Sequence, residues 1–181
     1  MLRTIRVEGI IIKRINLGEA DRIITILTKE FGKMAVKAGG VRKITSKRSP
    51  HIELLNYGVL TLYKGSKFPV LVEVQSHDTY SEIKSDLTKV GFAYHICELI
   101  DGLCPENQEN YAVFNLTRHA LERLCGDEDI VSVIHEFEIE LLSLLGFWNR
   151  SNANSQLNTH AFIENILERK LKSRRMFGKM S

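Results

Sequence analysis

The sequence is poor in cysteine, has no long apolar run and carries few aromatics. Its three cysteines, Cys97, Cys104 and Cys125, are an odd number, and no two stand in a C-x-x-C pair. That excludes a disulfide framework and a four-cysteine zinc site. No purely aliphatic run exceeds three residues; Ile10 to Ile12 is closed at once by Lys13 and Arg14. A membrane helix needs about 20 apolar residues. The N-terminus also lacks the apolar core and small-residue cleavage site of a signal peptide. A soluble cytoplasmic protein is expected. With 181 residues, 44% of them hydrophobic and 26% charged, the chain can build one large domain or two small ones, and a wholly disordered chain is excluded.

Enzyme signatures are missing too. There is no G-x-S-x-G elbow, no P-loop and no G-x-G-x-x-G fingerprint. His135-Glu136 starts like a zincin motif, but Ile139 stands where the second histidine belongs. His95, Cys97 and Cys104 are close in sequence but fall on an apolar helical stripe, which suits small core residues. The run Asp127-Glu128-Asp129 is explained by helix capping without Mg²⁺. No catalytic residue, metal ligand or cofactor is predicted.

What is present is a division of charge. Residues 1–80 hold 14 Lys/Arg against 7 Asp/Glu, residues 81–168 hold 5 against 15, and residues 169–181 hold 6 against none. The small net charge of +3 therefore hides segments suited to different partners.

The hydrophobic period changes near residue 80. Strands are expected over 4–14, 22–28, about 33–38, 52–63 and 69–75, separated by Asn16-Leu17-Gly18, Phe31-Gly32-Lys33 and Gly39-Gly40. Five strands in about 75 residues predict a small OB-type β-barrel. After residue 80, Phe92, Ala93, Ile96, Leu99, Ile100 and Leu103 form a helical stripe stopped by Pro105. A second helix carries Tyr111, Phe114, Leu121 and Leu124. A third starts at the Asp127–Asp129 cap, carries Ile130 to Leu145, and ends at Gly146. A polar linker, 149–158, leads to a last helix over about Thr159 to Arg175. The expected fold is α+β: an OB-type nucleic-acid-binding domain over 1–80 and a helical domain with a basic C-terminal helix over 81–181.

Segment 41–50, VRKITSKRSP, has no apolar period and predicts an exposed basic loop. Arg42, Lys43, Lys47 and Arg48 sit beside a strand bearing Lys33 and Lys37, and Thr45, Ser46 and Ser49 add hydroxyls for phosphate oxygens. Tyr57, Tyr63 and Phe68 are candidates for stacking on bases. A small basic barrel with such a loop points to nucleic acid.

The opening VEGIIIKRINLGEADRIITILTKEFGKMAVKAGGVRK, the loop TSKRS, the helical FEIELLSLLGF and the tail ILERKLKSRRMF, in that order, resemble the bacterial RecO family of DNA repair proteins. The resemblance implies a recombination mediator and not an enzyme. Such a protein binds single- and double-stranded DNA, anneals complementary strands, and works with RecR, single-strand-binding protein and, indirectly, RecA. Many members carry a cysteine-rich zinc module before the last helix. Here the cysteine-free linker 149–158 stands in that place, so zinc is not carried over. On this reading Arg14, Arg22, Lys33, Lys37, Arg42, Lys43, Lys47 and Arg48 are assigned to phosphates. Lys170, Lys172, Arg174 and Arg175 are further candidates, and the acidic middle is assigned to protein partners. Two rival classes remain: an RNA-binding OB protein related to translation, and a metal-dependent nuclease using the acidic run.

Overall fold

A computed structural model describes residues 4–64, 67–149 and 158–173. The chain forms two compact units, residues 1–79 with 105–114, and residues 80–104 with 115–181. Among the described residues no helix is long and apolar enough to cross a membrane.

The first unit is built on β1 (Thr4–Leu17), β2 (Asp21–Thr28), β3 (Gly32–Ala38), β4 (Tyr57–Tyr63) and β5 (Val70–Asp78). Strand β1 pairs antiparallel with β2 through its second half and with β4 through its first. The β1–β2 register shifts between Ile11 and Lys13. A bulge of this kind breaks the alternation of faces, and Ile10, Ile11 and Ile12 are all buried. Val7 and Ile11 join Ile24, Ile26, Met34, Val36, Ile52, Leu60, Leu62 and Leu71 in one core cluster.

The strands run in the order β1-β2-β3-β5-β4. They close on themselves as a five-stranded barrel whose seams are unequal. Four pairings are extended antiparallel ladders, whereas the β3–β5 seam that joins the circuit is one parallel pair, Lys37 with Val70. One backbone bond from Lys37 N–H to the Pro69 carbonyl, 2.8 Å, supports that pair. The cause is local. Gly40, at φ +68°, turns the chain away directly after β3, and Pro69 has no N–H to extend the ladder. The fold is α+β, with a five-stranded barrel whose β3–β5 seam is closed by a single parallel pair.

The fourth strand also starts later than its composition suggests. Residues Ser49–Ile52 make a 3₁₀ turn with Pro50 in its first turn, and Leu55 has a φ of +72°. Neither conformation continues a strand. Residues 105–110 return to the first unit, where Asn107 N–H donates to the Lys33 carbonyl at 2.7 Å.

In the second unit, α1 (Ser81–Lys84) precedes α2 (Leu87–Leu103). Helix α3 (Tyr111–Cys125) has its first residues in the first unit; α4 (Ile130–Leu144) and α5 (Thr159–Leu167) follow. Helices α2, α4 and α5 are N-capped by side-chain oxygens of Asp86, Asp129 and Asn158, each accepting backbone N–H groups of the first turn. The last helix is shorter than expected. Glu168 takes the left-handed conformation at φ +53°, and Arg169 N–H donates back to the Glu164 carbonyl, so Arg169, Lys170 and Lys172 lie beyond the helix.

Gly18 and Gly32 both have positive φ, but they differ in surroundings. A Cβ at Gly18 meets nothing within 4 Å, whereas one at Gly32 overlaps the Gln108 carbonyl. Gly18→Ala should therefore cost only the left-handed conformation, about 1 kcal/mol. Gly32→Ala should cost at least about 3 kcal/mol, because backbone must also move. Urea unfolding of the two variants checks the difference; equal losses would show that residues 105–110 yield freely.

Candidate nucleic-acid interface

Segment 39–56 is a series of backbone turns and not a floppy loop: Lys43 N–H donates to the Gly40 carbonyl, Ser46 to Lys43 and His51 to Arg48. Val41 is fully buried and anchors it. Asp21 ties its start to β2, accepting from Gly40 N–H at 2.8 Å with one oxygen and pairing with Lys37 Nζ at 3.1 Å with the other. The Gly40 hydrogen bond and then the Lys37 ammonium hold the Asp21 carboxyl below its ordinary range.

Pairing within the first unit sorts the cations assigned to phosphate. Arg48 donates to the carbonyls of Leu71 and Gly39, each at 2.7 Å, and so braces the turn against β5. Arg42 donates to the Gly18 carbonyl at 2.7 Å while staying exposed. Arg14 pairs with Glu53 at 2.6 Å; Arg22 lies 3.9 Å from the same carboxylate and donates to Asn16. Lys33 is buried, and its backbone pairs with Glu106 and Asn107. Lys43 and Lys47 are exposed, and neither has an ion pair among the described residues. The eight candidates thus fall into a brace (Arg48), tethered or paired groups (Arg14, Arg22, Lys37, Arg42), a buried lysine (Lys33) and two outward cations.

The aromatics divide likewise. Tyr57 donates its hydroxyl to Glu8, and its ring packs against His77 and Phe114, at centroid distances of 5.8 and 6.4 Å. It is an internal strut. The Tyr57 hydrogen bond, opposed by burial and helped by Lys29, lowers the Glu8 carboxyl. Tyr63 is exposed at the end of β4, and Phe68 is half-buried with Lys67 Nζ 5.6 Å from its ring centre. Sequence reasoning passed over Lys64 and Lys67, both exposed on the β4–β5 connection. The signal was there: two lysines flank Phe68 and Tyr63 in the string YKGSKF.

In the second unit the basic tail folds back on carboxylates. Lys170 pairs with Glu164 at 2.8 Å. Glu98 accepts from the Arg169 guanidinium at 2.6 Å and from the backbone N–H groups of Lys172 and Ser173, both at 2.9 Å. Burial alone would raise the Glu98 carboxyl, but these donors overcome it and hold it at about 2. The Lys172 side chain stays exposed; Arg174 and Arg175 lie outside the described residues. The acidic run is spent on structure: Glu128 pairs with Arg123 at 2.6 Å and Asp129 caps α4.

The chain is thus an α+β protein whose basic β unit presents short turns with outward lysines. Two family models match it, "Recombination protein O N terminal" over residues 1–80 and "Recombination protein O C terminal" over residues 84–155. The chain belongs to this recombination protein O (RecO) family. It is 36% identical over 145 residues to a DNA repair protein RecO of Roseiflexus sp. (strain RS-1), covering 80% of this chain and 51% of that one. It is 33% identical over 143 residues to the RecO of Symbiobacterium thermophilum, covering 78% and 56%. The RecO of Listeria monocytogenes serotype 4a is 30% identical over 141 residues, covering 78% and 55%. The chain spans about half the length of the curated relatives it matches.

Two outcomes follow from this geometry. Arg48→Ala should destabilise the protein by about 2 kcal/mol, since two buried-side carbonyls lose a charged donor. Lys43→Ala and Lys47→Ala should each change stability by less than about 0.5 kcal/mol; thermal unfolding of the three variants gives the comparison. The Glu98 clamp has a pH signature. A carboxyl lowered from 4.5 to about 2 by folding contributes stability that is complete above about pH 4.5 and fades as pH falls toward 2. Unfolding midpoints measured across that window should fall more steeply in the wild type than in Glu98→Gln, and parallel curves would show that the clamp carries no linkage.

Proposed function

We propose that this chain acts in recombinational DNA repair as a mediator: it binds single- and double-stranded DNA, anneals complementary strands and assists RecA loading. Membership of the recombination protein O family across both matched segments is the observation that carries this reading. The reading assigns DNA to the basic unit, residues 1–80 with the segment that returns to them, and protein partners to the acidic helices. RecR and single-strand-binding protein are the partners, and the chemistry is non-catalytic.

The physical case rests on electrostatics. Two DNA strands repel through their phosphates, and cations that neutralise both lower that barrier while the base edges stay free to pair. Lys43 and Lys47 are the first groups available for this work, with Lys64 and Lys67 beside Tyr63 and Phe68 as a second contact. Arg42, Lys37, Arg14 and Arg22 add to the field without being free to move far, because each already holds an internal acceptor. Arg48 acts by shaping the turn, and Lys33 is too buried to reach a phosphate. Lys170 and Lys172 extend the basic surface of the tail.

The test is annealing of complementary strands coated with the cognate single-strand-binding protein, beside binding titrations at several salt concentrations. Each phosphate contact on a single strand contributes about −0.7 to the slope of log K against log salt. Lys43→Ala/Lys47→Ala should flatten that slope by about 1.4, weaken all sequences alike and slow annealing. Matched RNA strands should bind no better than DNA. A double variant that folds, anneals and keeps the full slope would remove the turn from the interface; a wild type that anneals nothing would overturn the mediator reading.

A further inference from the structure

The second unit holds a polar cluster that DNA binding does not use. His95 on α2, Glu138 on α4 and His160 in the first turn of α5 converge on one point. His95 Nε2 lies 2.7 Å from Glu138 Oε1, His160 Nε2 lies 2.9 Å from the same oxygen, and the three atoms lie within 4.8 Å of one another. His95 and Glu138 are buried, whereas His160 is half-buried. We propose that His95, Glu138 and His160 form a binding site for one divalent transition-metal ion of the zinc class.

The outer atoms of these side chains carry the argument. The other ring nitrogen of His95, Nδ1, lies 2.7 Å from Ser173 Oγ, and the other oxygen of Glu138 accepts the Thr159 hydroxyl. Each of these two groups is therefore held from outside and presents a single atom inward. That is the arrangement of metal-ligating histidines and carboxylates, whose far atoms are oriented by hydrogen bonds. Two imidazoles and one carboxylate are a ligand set of Zn²⁺, which completes its tetrahedron with water. Half-exposed His160 leaves a path for that water and for the ion.

The distances and protons are compatible with loading. In a tetrahedral centre with bonds near 2.0–2.1 Å, neighbouring ligand atoms stand about 3.3 Å apart. The His160–Glu138 separation must open by about 0.4 Å, which a small swing of half-buried His160 supplies, and the His95–Glu138 separation by about 0.6 Å, which needs a shift of the Glu138 carboxylate or the His95 ring. Without a metal, each imidazole can donate Nε2–H to the carboxylate. With it, His95 carries its proton on Nδ1 and donates to Ser173 Oγ, since a hydroxyl accepts as readily as it donates. The site joins three segments far apart in the chain, so a bound ion would stabilise the second unit and hold the tail at Ser173. It differs in place and chemistry from the cysteine-rich module of other family members, as no cysteine takes part.

The experiment uses the full chain, purified without a histidine tag, stripped with a chelator and titrated with Zn²⁺, then with Co²⁺ as an optical probe. One Zn²⁺ per chain is expected, with a rise in the unfolding midpoint. The Co²⁺ form should give tetrahedral visible bands and no thiolate-to-metal band in the near ultraviolet. His160→Ala should weaken binding by at least about 100-fold and Ser173→Ala by about 10-fold or more, with circular dichroism of the metal-free variants confirming the fold. A wild type without saturable stoichiometric binding, or a folded His160→Ala that binds at wild-type strength, overturns the proposal and leaves a closed hydrogen-bond network. A thiolate band overturns it as well, and it needs no variant to fold.

Discussion

Strand β1 makes the first unit possible because it serves two partners along one length of chain. Its first half pairs with β4 and its second half with β2, and the bulge between Ile11 and Lys13 lets it bend from one to the other. A straight strand of 14 residues would alternate faces throughout and bury only every second side chain. Ile10 and Ile11 precede the shift and face opposite sides, yet both are buried, as is Ile12 at the bulge, so β1 is covered on both faces there. With β1 bent, β2, β3, β4 and β5 have defined places, and the single-pair β3–β5 seam that closes the barrel falls beside the Gly39-Gly40 turn and the residues that follow it.

That placement explains why the basic segment is at once ordered and available. A turn region full of cations is held by spending some of them on carbonyls and carboxylates: Arg48 on Gly39 and Leu71, Arg42 on Gly18, Lys37 on Asp21. The charges spent this way have little freedom to follow a DNA backbone. The ones left over, Lys43 and Lys47, project from a scaffold whose shape is already set, so less order must be created on binding. Arg48 braces through two carbonyls while Lys43 and Lys47 face outward, in keeping with the guanidinium's fork of donors and the ammonium's role as a mobile point charge.

The second unit follows a different logic. Its inward carboxylates, half-buried Glu98 and buried Glu138 and Glu164, each gather several donors, and all three bond residues that follow α4. Glu98 and Glu164 hold residues 169–173, while Glu138 holds the start of α5. A buried carboxylate without such donors would be costly. Removing Glu98 or Glu164 therefore leaves donors in residues 169–173 unmatched, and removing Glu138 does the same to His95 and Thr159.

Local signals were enough for four of the five strands, for the helical periods and for the cap that starts α4, because turn residues, alternation and capping act within a few positions, whereas the fourth strand starts five residues later than expected. The basic segment was visible for the same reason, and so were the ordered pieces that resemble the RecO family. Which cations are free was not visible. Lys33 lies on a strand whose neighbours alternate, yet it is buried where residues 105–110 return to pair with its backbone. Glu53 stands 39 and 31 positions from Arg14 and Arg22, and no spacing rule joins them. The β3–β5 seam depends on where Pro69 arrives, and the meeting of His95, Glu138 and His160 depends on how three helices pack. Composition and period determined the elements and the sign of the charge in each segment. Tertiary structure alone decided which charges are spent inside the protein and which remain for a partner, because pairing energy depends on distance in space and the sequence records only distance along the chain.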